Sequence, residues 1–169
     1  MIKGINMKRI IIVDKDDKPI GLKDIATIDQ NDIYRVTALW ITNSNDEILL
    51  AKRHANKTHD PGKWGPAVAG TVEEGEGYDD NIYKEADEEL GINGVEFTKG
   101  PKIEIKIKYH YFCQWYLLNT NKNIKEFTIQ KDEVVRIKWF TKKEFLDEQE
   151  KHPEKFIASM KSYLRELVI

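Results

Sequence analysis

The chain has 169 residues, 40% hydrophobic and 33% charged, which suits one soluble domain with a sizeable core. A formal net charge of -2 at pH 7 excludes a general nucleic-acid or membrane-surface binder, because both need a basic excess. The single cysteine, Cys113, excludes an internal disulfide framework and a multi-cysteine zinc site.

No apolar run is long enough for a membrane span. The apolar burst Ile10 to Val13 runs straight into Asp14-Lys15-Asp16-Asp17, unlike a cleavable signal, so a cytoplasmic location is expected. No repeat or Gly/Ser linker divides the chain, and residues 1–169 read as one domain.

In chain order, Arg9 to Val13 and Pro19 to Leu22 form a hairpin through Asp16-Asp17-Lys18. Tyr34 to Thr42 and Glu47 to Arg53 are β-rich runs joined by the turn cluster Asn43-Ser44-Asn45-Asp46. A polar loop from His54 to Lys63 precedes a short strand near Pro66 to Gly70. Helical character begins near Tyr78 and stops at Gly91, suited to the left-handed position after a helix.

Lys102 to Lys108 alternates, with Ile103, Ile105 and Ile107 on one face, and Tyr109 to Leu118 is a second such strand. Cys113 in this aromatic stretch reads as a buried structural thiol. The segment from Asn119 to Lys131 carries no clear signal. Val134 to Phe140 is another strand, and Thr141 with Glu144 has capping-box spacing for a short helix. A last helix starts at Pro153, with Phe156, Ile157, Met160, Tyr163, Leu164 and Leu167 at helical spacing. Strands interleaved with a few helices make a mixed α/β domain.

The most informative segment runs from Gly70 to Ile92. Between Glu73 and Glu89 stand nine acids and one base, Lys84, so the rest of the chain carries a net +6. Glu85, Glu88 and Glu89 share one helical arc, beside an apolar arc of Ile82, Ala86 and Leu90. Like charges so spaced destabilise a helix by about 0.2–0.5 kcal/mol per pair. Hard divalent cations, which prefer carboxylate oxygens, would offset this; a solvated acidic face is the plain alternative.

The same residues resemble the signature of the Nudix (MutT-like) superfamily, G-x5-E-x7-R-E-U-x-E-E-x-G-U with U aliphatic. Gly70, Glu76, Glu85, Glu88, Glu89, Gly91 and Ile92 match, and Ala86 fills the small apolar slot. The family arginine is Lys84 here, which keeps the charge but loses the bidentate fork. The resemblance implies an α/β/α sandwich around a mixed sheet, with a strand-loop-helix site over residues 70–92. It implies Mg²⁺ or Mn²⁺ held by the Gly70 carbonyl, Glu85, Glu88 and Glu89, with Glu76 orienting that shell or joining it. Glu88 corresponds to the usual proton acceptor. Glu133, before the Trp139 strand, resembles a later ligand or base; the alternative is a charged turn.

The region from Val13 to Ile92 also resembles isopentenyl-diphosphate isomerases and hydrolase-like proteins related to them. In that comparison Arg53 and Lys57 grip the substrate diphosphate, cations suited to a polyanion; an exposed pair with no ligand is the alternative. Isomerase activity is disfavoured, because its essential cysteine falls at Ala69 and a metal-binding histidine at Thr71. The expected function is divalent-metal-dependent hydrolysis of a diphosphate linkage in a nucleoside diphosphate derivative or related organic pyrophosphate. The competing reading is a weak or inactive domain that binds a nucleotide-like metabolite. The expected partner is a small-molecule diphosphate, not nucleic acid or membrane, with homodimers frequent among relatives.

Asp14 to Pro19 lacks the glycine and glutamate of a calcium loop and reads as a turn. Lys102, Lys106 and Lys108 read as edge-strand protection, with a nucleotide contact as the alternative. The four histidines show no metal spacing, and most of the four tryptophans are expected in the core.

Overall fold

A computed structural model describes residues 7–167; the two ends of the expected 1–169 domain lie outside the described residues. Among the described residues, nine strands and three α-helices form a mixed α/β fold. The strands are β1 (Arg9–Val13), β2 (Pro19–Asp24), β3 (Ile33–Thr42), β4 (Ile48–Arg53), β5 (Trp64–Pro66), β6 (Val68–Thr71), β7 (Thr98–Lys106), β8 (His110–Asn119) and β9 (Val134–Phe140). The helices are α1 (Tyr78–Leu90), α2 (Lys142–Lys151) and α3 (Met160–Glu166). No helix among the described residues is long and apolar enough to cross a membrane.

β3 organises the sheet. It runs parallel to β8 along its whole length, from Ile33 opposite His110 to Thr42 opposite Asn119. Its other edge pairs antiparallel in turn with β1, β6 and β4. Such a strand is covered on both faces, which explains its nearly continuous apolar sequence. Alternate residues serve different layers: Ala38 and Trp40 join a core with Phe145, Phe156 and Met160. Leu39 and Ile41 join a second core with Ile82, Ala86 and Leu90 of α1.

Most expected elements form where the pattern places them, including the hairpin, whose turn residue Asp17 has φ 61°. Cys113 is fully buried. Thr141 caps α2 by accepting from the Glu144 amide at 3.1 Å. Three expectations need correction. The strand near Pro66 to Gly70 is two strands broken at Ala67, because Trp64–Pro66 pairs with β4 whereas Val68–Thr71 pairs with β3. Ile107 lies beyond β7 and is exposed.

The last helix does not start at Pro153, which opens a 3-10 turn over Pro153–Lys155. The chain then extends so that the Ile157 amide reaches the Trp64 carbonyl at 2.9 Å, and tertiary pairing overrides the helical spacing. A further 3-10 turn, Ile25–Thr27, follows β2.

The segment after Asn119 acquires a role. Its 3-10 turn, Ile124–Glu126, leads to Thr128 and Gln130, whose amides donate to the carbonyls of Leu90 and Glu89 at 3.0 and 2.9 Å. These bonds satisfy carbonyls at the α1 C-terminus. Gly91 there has φ +64°, and a Cβ would stand 3.0 Å from the Thr128 Cβ. Gly91→Val should therefore destabilise the protein by about 1–3 kcal/mol, measured by urea unfolding; an unchanged midpoint would contradict this packing.

Candidate active site

The site begins where β6 ends. Gly70 lies opposite Thr37 of β3, and the following loop is laced to its neighbours by Val72 N–H to Arg35 O and Glu74 N–H to Arg9 O, both 2.9 Å. Helix α1 then crosses back over β6 with Ile82, Ala86 and Leu90 fully buried. That anchoring fixes the adjacent arc. Glu85 and Glu89 are only 7% and 9% exposed, whereas Glu88 is exposed.

Gly70 is required by a close approach. A Cβ there would stand 2.3 Å from the Glu85 Cγ and 2.7 Å from its Oε1. The helix carboxylate lies directly on the strand backbone.

Asn81 occupies the same stripe one turn before Glu85. Completely buried, it accepts from Thr37 Oγ1 at 2.5 Å and donates to the Thr71 carbonyl at 3.1 Å. Its amide also reaches Glu76 at 2.9 Å and Glu85 at 3.4 Å. Glu76 accepts from the Glu73 amide at 3.0 Å and pairs with Lys84. Lys84 bonds Glu73 at 2.9 Å and stands 3.8 Å from Glu85; Lys8 reaches Glu73 at 2.8 Å.

Electrostatics divide these acids into two groups. Burial opposes ionisation of Glu73, but its bonds to Lys8 and Lys84 hold its pKa below the ordinary value. Burial also depresses Lys84, yet Glu76 and Glu73 together hold its pKa well above the usual lysine range. Glu85 goes the other way: burial raises its pKa against the pull of Lys8 and Lys84. Glu89 is pushed up to about 8, chiefly by burial and then by the charges of Glu85 and Glu133. It forms no salt bridge among the described residues.

These groups open onto a cleft of about 650 Å³. Gly70, Glu85, Glu88 and Glu89 line one side, and Arg53, Lys57 and Glu133 also reach it. The cations are already engaged: Lys57 pairs with Glu133, and Arg53 Nε donates to the His59 carbonyl at 3.0 Å. Glu76 and Lys84 stand outside the cleft lining, behind the loop. Of the expected site residues, therefore, seven meet at the cleft and two brace it.

Asn81, Lys8 and Glu73 join the expected residues around the site. Asn81 left a signal, a polar residue on the stripe of Glu85 and Glu89; Lys8 left none, since its place depends on β1 lying against the loop. Cys113 offers no cleft thiol: it sits in the core, its pKa raised by burial to about 12.

The arrangement suits a hard cation. Two carboxylates are buried beside a strand backbone, Glu85 partly offset by Lys84 and Glu89 by no salt bridge among the described residues, and such groups call for pairing or a metal. The oxygens that could hold one are those of Gly70 O, Glu85 and Glu89, with Glu88 at the rim. Among the described residues no three His, Cys, Asp or Glu side chains already converge as a ligand cage.

Residues 33–160 match the NUDIX domain as a family. The chain belongs to the Nudix family. An uncharacterized Nudix hydrolase of Pseudomonas aeruginosa is 36% identical over 81 residues, covering 47% of this chain and 48% of that protein. An isopentenyl-diphosphate Delta-isomerase of Burkholderia multivorans is 29% identical over 86 residues, covering 50% and 49%.

This Nudix chain spans about half to two thirds of the length of the first curated relatives it matches. The crystal structure of DR0079 from Deinococcus radiodurans superposes with a TM-score of 0.82 at 18% identity, over 94% of this chain and 98% of that one. That likeness extends the fold agreement beyond the matched domain to nearly the whole molecule.

The raised Glu89 pKa has a measurable consequence. A group whose pKa rises on folding contributes stability that is present below its unfolded value and lost as pH climbs through its folded value. With chelator present, stability should therefore decline between about pH 4.5 and 8. Glu89→Gln, which keeps the acceptor oxygen, should make that decline shallower in thermal melts. Equal slopes for both proteins would contradict the assignment.

Proposed function

We propose that this chain is a divalent-metal-dependent hydrolase, using Mg²⁺ or Mn²⁺ to cleave the diphosphate linkage of a nucleoside diphosphate derivative or related organic pyrophosphate. The observation that carries this reading is the pair of buried carboxylates on one helix face, Glu85 against the β6 backbone at Gly70 and Glu89 beside Ala69, the latter with no salt bridge among the described residues. Glu85, Glu89, the Gly70 carbonyl and Glu88 would hold the cation. Bound there, it would supply charge neutralisation at phosphoryl oxygens and acidify a coordinated water.

The protein's own part is placement and proton movement. Glu88 accepts the proton of the attacking water, whose oxygen bonds to phosphorus as the bridging P–O bond breaks and the leaving phosphate keeps its electron pair. Glu133 is the alternative acceptor, held meanwhile by Lys57. Arg53 and Lys57 bind the diphosphate, Lys57 exchanging Glu133 for substrate oxygens. Glu76 and Lys84 position the Glu85 carboxylate through Asn81 and through direct contact.

The contacts of Lys84 with Glu73 and Glu76 support catalysis over a binding-only role, because the replacement for the family arginine is fully engaged. The purified protein should release phosphate-containing products from a diphosphate panel only with Mg²⁺ or Mn²⁺. Glu85→Gln should lower kcat by at least about a hundredfold, since a catalytic metal contributes several kcal/mol. Turnover that persists in chelator, or in Glu88→Gln/Glu89→Gln, would refute the proposal. Lys84→Arg should preserve or raise kcat if the guanidinium fork serves the same acids; a loss beyond tenfold would contradict that role.

A further inference from the structure

The NUDIX match begins at residue 33, yet earlier residues help build the cleft. Ile25 and Ile28, in and after the 3-10 turn that follows β2, line it together with the glutamates. They pack on the cluster of Ile10, Ile12 and Tyr34, beside Tyr109 and Tyr111. The rings of Tyr34 and Tyr111 are 5.5 Å apart, and the small residues Ala38, Ala51 and Ala69 line the same cleft.

Tyr34 is only 4% exposed and lines the cleft, but its hydroxyl meets no hydrogen-bond partner among the described residues. The neighbouring Tyr111 hydroxyl, by contrast, bonds to Tyr163 at 2.9 Å. The Tyr34 hydroxyl therefore opens onto the cleft with no protein group among the described residues engaging it, free to bond to a polar atom of whatever binds there.

We infer that Ile25, Ile28 and Tyr34 determine specificity by holding the group that the diphosphate carries. That group has an apolar body, seated against the two isoleucines and the Tyr34 ring, and a polar edge that meets the Tyr34 hydroxyl. The inference rests on the diphosphate reading of the same cleft and adds the chemistry of the substrate's other end. Loss of an apolar contact in such a pocket costs about 10–200-fold in discrimination. A hydroxyl placed for a substrate atom rejects analogues lacking that atom.

The test compares three diphosphate esters with Mg²⁺: pyridylmethyl, benzyl and methyl. The parent protein should rank them in that order by kcat/KM. Ile25→Ala/Ile28→Ala should cut the ratio of either ring ester to methyl by tenfold or more, through KM. Tyr34→Phe should bring pyridylmethyl down to the level of benzyl. A parent that favours the methyl ester, or ratios unchanged in both variants, overturns the inference.

Should the double variant melt far below the parent, Ile28→Ala alone makes the same comparison. If the protein hydrolyses none of the esters, the hydrolytic reading fails separately. Calorimetric Kd values for the matching methylenediphosphonates then decide the specificity wall by the same ratios.

Discussion

The structure depends on keeping two carboxylates, Glu85 and Glu89, out of water between α1 and the β6 backbone. Burial disfavours the ionised form of both acids and raises their pKa values, Glu89 to about 8, so keeping them there has a cost. The burial of Ile82, Ala86 and Leu90 on the sheet enforces it, because the two arcs belong to one rigid helix. Gly70 makes it sterically feasible, and Asn81 ties the helix to β3 and to the loop at once. A divalent cation bound there would offset that cost by supplying the opposite charge.

The surrounding acids have a different task. Glu73 and Glu76 are satisfied by Lys8, Lys84, Asn81 and a backbone amide, so they form a braced layer behind the cleft. Acidity that looks uniform in sequence thus splits into a paired layer with lowered pKa at Glu73 and a buried pair, Glu85 and Glu89, with raised pKa. The loop after Asn119 joins this frame: its amides hold the Glu89 and Leu90 carbonyls, and the same loop leads into Glu133. The position of Glu133 across the cleft is therefore coupled to the C-terminal end of the glutamate helix.

Local chemistry made much of this legible. Alternation and turn residues mark the hairpin, β3, β4 and β9, and Gly91 marks the C-terminal end of the helix that begins at Tyr78. The glutamate arc and the glycine are likewise readable, since helical geometry alone brings 85, 88 and 89 to one side. What escaped the sequence is tertiary in origin. The break at Ala67 arises because one segment serves two partner strands, and the helix expected from Pro153 gives way to pairing between Ile157 and Trp64. Lys8, Ile25 and Ile28 reach the cleft only because β1 docks on β3, which no spacing rule records.

The central claim concerns where a cation sits, and anomalous scattering from crystals grown with Mn²⁺ tests it most directly. The account predicts a manganese peak bounded by the Gly70 carbonyl and the carboxylates of Glu85 and Glu89, with Glu88 turned toward it. Manganese found only elsewhere, with Glu85 and Glu89 still buried and free of any ion, would contradict it.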